Sequence, residues 1–283
     1  MSAKPPGASG MRSDRLNLMI VHAVLIMGSA VMVFPFIWQI MASFKTQTEV
    51  LLVPPSLLPK VFQFSAYERV FDRIPFWDMF YVSIWSVGVR TIAQVVFCSM
   101  AGYAFARLRF PFRNTLFIML LAIMMVPREI YLLPQTEIMK SMGLLDTIAA
   151  LTAPGLFSAF GTFLMRQFFM TLPPSLEEAA RIDGAGRLRI FFEIMLPLAK
   201  PGMIALAIFT ALWSWNELLW PIVVNSDPSK LNLAAGISTL AGTRTTDFPM
   251  MMAGSLMAQL PMILLFFVLQ KRFVEGIATS GLK

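Results

Sequence analysis

Apolar residues in this chain run in long unbroken blocks, without the alternation of a half-buried strand or the one-sided stripe of a surface helix. From Leu16 to Phe44 no residue is charged. A hydrocarbon core of about 30 Å takes roughly 20 apolar residues in helical form. Six stretches meet that need, at about 18–41, 80–106, 114–133, 147–166, 202–224 and 249–270. The first exceeds the ~7–15 apolar residues of a signal-peptide core, so it is expected as a retained span. The pattern predicts an all-α membrane protein with six transmembrane helices. Residues 1–17, with Pro5, Pro6, Gly7 and Gly10, are expected as a disordered lead, and 18–283 as one transmembrane domain. Pro127, Pro221 and Pro261 are expected to kink or end their helices.

Composition sharpens this picture. Hydrophobic residues make up 57% of the chain and charged residues 14%, against about a quarter charged in soluble domains. Mean hydropathy is +0.69. The net charge of +7 is distributed unevenly. The N-terminus, the second-to-third and fourth-to-fifth connections and the C-terminus hold 14 Lys and Arg, the other three connections 8. The positive-inside rule then puts both termini in the cytoplasm, N-in and C-in. One cysteine, Cys98, leaves no internal disulfide. The single histidine, His22, reads as an interfacial polar residue and cannot supply an HExxH site. Gly-Lys occurs nowhere, so no phosphate-cradling loop is present; there is no Gly-x-Ser-x-Gly elbow, and no aspartate lies in a predicted span. The chain reads as non-enzymatic.

Residues 173–197, PPSLEEAARIDGAGRLRIFFEIMLP, stand apart. Pro173 and Pro174 end what precedes them. Ser175 followed three residues on by Glu178 has the form of a capping box. Glu177 and Glu178 suit the positive end of a helix dipole. A first helix from Leu176 to about Asp183 is expected, roughly 12 Å long. Gly184 and Gly186 supply a turn, and a second helix is expected from about Arg187, stopping before Pro197. On these residues alone the segment is either a helical surface loop or a knob for a cytoplasmic partner.

Glu178-Ala179-Ala180, then Gly184, Ile194 and Leu196-Pro197 at their spacings, resemble the EAA loop of ABC importer permeases. The second-to-third connection Leu108 to Asn114, Gly143 to Thr147, Trp215 to Pro221 and the tail Phe273 to Lys283 are similar to the carbohydrate-type branch. The tail resembles the maltose-type second permease, with Ser280 where that tail tends to have glycine; Thr162 to Pro173 is similar to the glycerol-3-phosphate member. The resemblance implies that 173–197 is a cytoplasmic coupling-helix loop seated in an ATPase subunit, with Ser175, Glu178, Ala179, Ala180, Asp183, Gly184, Ile194, Leu196 and Pro197 as its coupling residues. It further implies a multi-pass protein of the bacterial inner membrane. The implied partners are a second homologous permease, two ATP-binding subunits, an extracytoplasmic solute-binding protein and membrane lipid, with no nucleic acid. ATP and magnesium are expected on the ATPase subunits and no cofactor on this chain. The tail 271–283 is expected to reach toward the ATPase dimer.

Ionisable residues inside a span are costly and point to function. Arg90, near the outer end of its span, reads first as snorkelling to the interface. Glu217 lies about 22 Å along its span from the inner end. Trp213, Trp215 and Trp220 surround it, as an outer aromatic belt or as the lining of a pathway in which rings stack on sugars. Trp213, Asn216, Glu217 and Gln259 are the pathway candidates. The expected function is uptake of a sugar or sugar-like solute by ATP-driven alternating access, with glycerol-3-phosphate or a phosphodiester as the alternative. A reading from another class is an ion-coupled transporter in which Arg90 or Glu217 serves the coupling ion.

Overall fold

The computed structural model describes the backbone of residues 8–242 and 246–281 and the side chains of 17–242 and 246–268. Among these residues every regular element is helical. In chain order they are α1 (Ala8–Ser43), α2 (Gln47–Val50), α3 (Ser65–Arg73), α4 (Phe76–Arg107), α5 (Arg113–Ala122), α6 (Arg128–Ser141), α7 (Ile148–Thr152) and α8 (Ala159–Thr171). Then follow α9 (Ser175–Ile182), α10 (Arg187–Arg189), α11 (Leu196–Leu198), α12 (Lys200–Trp215), α13 (Leu219–Val224), α14 (Leu233–Ser238) and α15 (Phe248–Gly281).

Three of the expected spans are single helices: Asn17–Ser43, Phe76–Arg107 and Phe248–Val268 are long and apolar enough to cross a bilayer. The rest of the membrane-length structure is bent. Arg113–Met125 meets Arg128–Ser141 at 100°, Ile148–Gly155 meets Ala159–Thr171 at 43°, and Arg187–Leu198 meets Lys200–Trp215 at 73°. The breaks at Pro127 and before Pro221 fall where a proline was expected to end a helix. Val126 is extended (φ −85°, ψ 120°), as a residue before proline prefers, and the helix restarts at Arg128. The second break follows Pro154-Gly155 and ends where Ser158 caps α8 by accepting from the Gly161 amide at 2.9 Å. Pro221 cannot donate to a carbonyl at 217, so helix stops at Trp215 and resumes at Leu219, with the proline in its first turn. Pro261 does not end its helix; α15 runs through it. Residues 8–17 of the expected lead are helical, since past Pro6 only Gly10 opposes helix. Residues 1–7, the side chains of the tail 271–283 and its last two residues lie outside those described.

At the centre α4 packs on α8 and α12, while α1 lies along α15. Between Leu18 and Phe34, α1 exposes Leu18, Ile20, Leu25, Met27, Met32 and Phe34 in every direction. A helix apolar all round and uncovered all round is solvated by lipid or by another subunit. The α4–α8 contact is very close. A Cβ on Gly102 would lie 2.7 Å from Met165 Cβ and 2.8 Å from the Arg166 backbone nitrogen. Neither is the free end of a side chain, so the helices themselves must part. Gly102→Leu is expected to cost ~1–3 kcal/mol, read as a fall of several degrees in the unfolding temperature of the purified protein. An unchanged melting curve would mean that this helix contact is loose.

Candidate functional site

Two places collect polar groups. The first is a cavity of about 560 Å³ enclosed by α4, α6, the α7–α8 break and α12. On α4 the buried positions Ser83, Ser86, Arg90, Gln94 and Cys98 recur every three or four residues, one helical stripe facing α8 and α12. That stripe corrects the snorkelling expectation for Arg90. Its side chain is 8% exposed and points inward. Arg90 Nη1 donates to Glu217 Oε2 and Nη2 to the Leu151 carbonyl. The opposite oxygen of Glu217, Oε1, accepts from Arg128 Nη2. Glu217 sits in the helix break before α13 and Arg128 just past the 100° break, so the three-membered ion cluster ties two chain breaks together. Beneath it Gln94 donates to the Gly155 carbonyl at 2.8 Å, and its oxygen accepts from the hydroxyls of Ser158 and Thr210, each at 3.0 Å.

Of the four pathway candidates, Trp213 and Glu217 line this cavity. Asn216 and Gln259 line a second one of about 320 Å³ with Phe36 and Trp215. Asn216 bonds back to the Leu212 carbonyl at 2.8 Å, and Gln259 donates to Gln39 of α1 at 3.4 Å. Trp215 and Trp220 are buried and donate to the carbonyls of Ala258 and Ala150, both at 3.0 Å, so they form no belt. Trp213 is 57% exposed and packs on Phe160 with ring centroids 5.1 Å apart. Gln94, Tyr131, Ser158 and Thr210 were not among the sequence candidates. The three-to-four-residue polar spacing around Arg90 was the available signal for the α4 members; the others depend on the fold.

The second place is the hairpin 175–198. Its first helix starts one residue earlier than expected. Pro174 is already helical (φ −61°, ψ −28°), and its carbonyl accepts from the amides of Glu177 at 3.0 Å and Glu178 at 3.2 Å. Ser175 therefore lies inside the helix and makes no capping bond, and the capping box is not formed. Glu178 faces outward with Ser175, Ala179, Asp183, Gly184 and Pro197; Ala180 is buried, and Ile194 and Leu196 pack inward. The turn is as expected. Gly184 has φ +79°, its amide donates to Arg181 O at 3.0 Å, and the Ala185 amide donates to Ala180 O at 2.9 Å. This is the six-to-one and five-to-two pairing that closes a helix C-terminus.

The second helix does not stop before Pro197. It widens into a π turn over Ile190–Met195 and continues to Leu198. A wider turn relieves the clash of a proline ring with the carbonyl four residues back. Arg189 on this outer arm is held charged more firmly by its 2.7 Å bond to Glu193.

Glu177, rather than Glu178, ties the hairpin to the body. Its side chain is 5% exposed and lies 3.4 Å from Arg107 Nε and 3.2 Å from Arg181. The Arg107 contact is electrostatic, without hydrogen-bond geometry at Nε. Arg107, the last residue of α4, spends Nη2 on the carbonyls of Phe169, at 2.6 Å, and Leu172. Beside this anchor Ile182 is 86% exposed and Leu188 73% exposed, an uncovered apolar tip.

Residues 94–271 match the family described as "Binding-protein-dependent transport system inner membrane component". The chain is 34% identical over 267 residues to the sn-glycerol-3-phosphate transport system permease protein UgpE of Escherichia coli O1:K1 / APEC, covering 92% of this chain and 95% of that one. UgpE of Salmonella choleraesuis (strain SC-B67) is 34% identical over 279 residues, 95% of this chain and 99% of the relative. Among solved structures, a chain of a bacterial ABC transporter involved in the import of the acidic polysaccharide alginate superposes with a TM-score of 0.78 at 25% identity, covering 95% of this chain and 100% of that chain.

Proposed function

This chain belongs to the family of binding-protein-dependent transport system inner membrane components, and from that premise we propose that it moves its solute by ATP-driven alternating access through the cavity between Arg128 and Trp213. It is an inner-membrane permease of a carbohydrate-type ABC importer, and its solute is sugar-like. The proposed topology is six spans, three of them broken, with both termini in the cytoplasm, in line with the loop charges. ATP hydrolysis is assigned to separate subunits, since the chain lacks a phosphate-binding loop. A second permease, two ATP-binding subunits and an external solute-binding protein complete the assembly. Sn-glycerol-3-phosphate, for which the relatives are named, is the specific alternative to a neutral sugar.

The observation that carries the coupling role is the outward face of the hairpin. Ser175, Glu178, Ala179, Asp183 and Gly184 are turned away from the body while Ala180 and Glu177 fix the hairpin to it. In this reading Ile182 and the small Ala179 enter the ATPase socket, and Ile194, Leu196 and Pro197 set the angle of the second arm. Gly184→Val tests it. A β-branched residue at φ +79° costs about 1–2 kcal/mol, and a Cβ added there would meet nothing within 4 Å, so the strain is confined to the turn. The variant is expected to insert normally, yet to lose most ATPase recovery in pull-down and most ATP-dependent uptake in proteoliposomes. Full recovery and full uptake would remove the docking role. Uptake driven by an ion gradient without ATP would establish the ion-coupled reading instead.

A further inference from the structure

The cavity between α6 and α12 is not electrically neutral. Among the described residues its lining holds two guanidinium groups, Arg90 and Arg128, and one carboxylate, Glu217. Arg90 is committed: it is buried, and its two terminal nitrogens bond Glu217 and the Leu151 carbonyl. Arg128 is not. It bonds Glu217 through one nitrogen and also interacts with the neighbouring Tyr131, but its side chain remains 67% exposed toward the cavity. Arg128, Tyr131 and Gln135 follow one another at i, i+3 and i+7 on α6, and all three line the cavity. Across from them stand Trp213 and Phe160. One wall thus offers a cation and hydrogen-bonding groups, the other aromatic faces.

We propose that this cavity takes a solute carrying an acidic group, phosphate or carboxylate, on a polyol or sugar frame, and that Arg128 is the residue that receives the acid. This rests on the permease reading above and narrows its solute class. A guanidinium fork matches the oxygens of either group. Glu217 Oε1 occupies one prong of that fork. The solute's acid group replaces it there, and Glu217 stays neutralised by Arg90. The exchange leaves no carboxylate bare and cancels the excess positive charge, whereas a neutral sugar would leave that charge unbalanced inside the membrane.

The test uses the purified complex of both permeases and the ATPase subunits in lipid nanodiscs, with the solute-binding protein left out of the titration, and calorimetry with four probes. Sn-glycerol-3-phosphate and an alginate disaccharide carry a phosphate and a carboxylate; glycerol and maltose are neutral. At least one acidic probe is expected to bind at least tenfold more tightly than both neutral ones, and which one binds identifies the acid. Arg128→Gln is expected to reduce that binding at least tenfold, and Arg128→Lys to retain part of it. The Arg90–Glu217 pair survives in both variants, so assembly should be preserved, as size-exclusion chromatography would show; should Arg128→Gln fail to assemble, the comparison of probes on the unaltered complex still decides. Equal binding of neutral probes, no binding of either acid, or undiminished affinity in an assembled Arg128→Gln complex would overturn the proposal. Solute-binding-protein-stimulated ATP hydrolysis in the same preparation reports separately on the importer reading, which would stand even if only maltose bound.

Discussion

Glu217→Ala is expected to be among the most damaging single changes in the chain. The substitution removes the one carboxylate lining the cavity among the described residues and leaves the Arg90 guanidinium, 8% exposed, with a carbonyl in place of a counter-ion. Breaking a buried pair by deleting one partner costs about 3–5 kcal/mol, a large share of the ~5–15 kcal/mol that holds a typical domain folded. The expected result is a sharp drop in folded yield and in the unfolding temperature of the purified permease. Arg128→Gln should cost far less, because that side chain is 67% exposed. The double change Arg90→Gln, Glu217→Gln should recover a good part of the loss by removing both charges. A melting temperature for Glu217→Ala equal to that of the unaltered protein would mean that Arg90 has found another partner and that the cluster is dispensable for folding.

Arg107→Ala is expected to uncouple the hairpin from the membrane helices. Arg107 bonds the carbonyls of Phe169 and Leu172 and lies 3.4 Å from Glu177, so it joins the ends of α4 and α8 to the underside of α9. Its removal leaves two carbonyls and a nearly buried carboxylate served only by the more exposed Arg181, at 3.2 Å. A lost partner for a charged buried group is worth roughly 1.5–3 kcal/mol. The loss falls on the joint between α4, α8 and the hairpin. Amide exchange over residues 175–198 should accelerate about tenfold or more while α4 and α12 remain protected. ATP hydrolysis should then proceed with little transport. Arg107→Lys should behave similarly in milder form, because one ammonium cannot reproduce the planar fork. Unchanged exchange over 175–198 together with unchanged transport would show that the hairpin is held by its apolar contacts alone.

Glu178 carries a different expectation once the structure is known. The capping box predicted from Ser175 and Glu178 would make Glu178 a helix-stabilising residue. Pro174, however, begins the helix by itself, because its ring fixes φ near the helical value, so Ser175 lies inside the helix and is not its cap. Glu178 is exposed, so its part in the proposed coupling lies in contact with a partner, while structural anchoring belongs to Glu177 one residue earlier. The two acids are indistinguishable by spacing from Pro174 alone. Their roles separate only because Glu177 lies on the face of α9 that meets Arg107.

What the sequence by itself determined was set by local chemistry. Charge-free blocks of membrane length can only be helices where the backbone must satisfy its own hydrogen bonds, and most of the expected spans lie where helices stand. The turn at Gly184 was equally legible, because its conformation is costly for residues bearing a Cβ and its bonds reach back only three and five residues. The extended spacing from Glu178 to Pro197 was legible for the same reason: it is a pattern within one short segment. Tertiary structure alone decided the rest. Arg90 and Glu217 are 127 residues apart, and Arg128 and Glu217 are 89. Seen singly, each is a costly ion with several possible fates. Only the packing of α4 against α8 and α12, together with the breaks at Pro127 and before Leu219, brings the three into one cluster. The same packing put Asn216, one residue from Glu217, into another cavity. Adjacent positions on a helix end point about 100° apart, and which of those directions leads to solute, to lipid or to a neighbouring helix is fixed by what packs there.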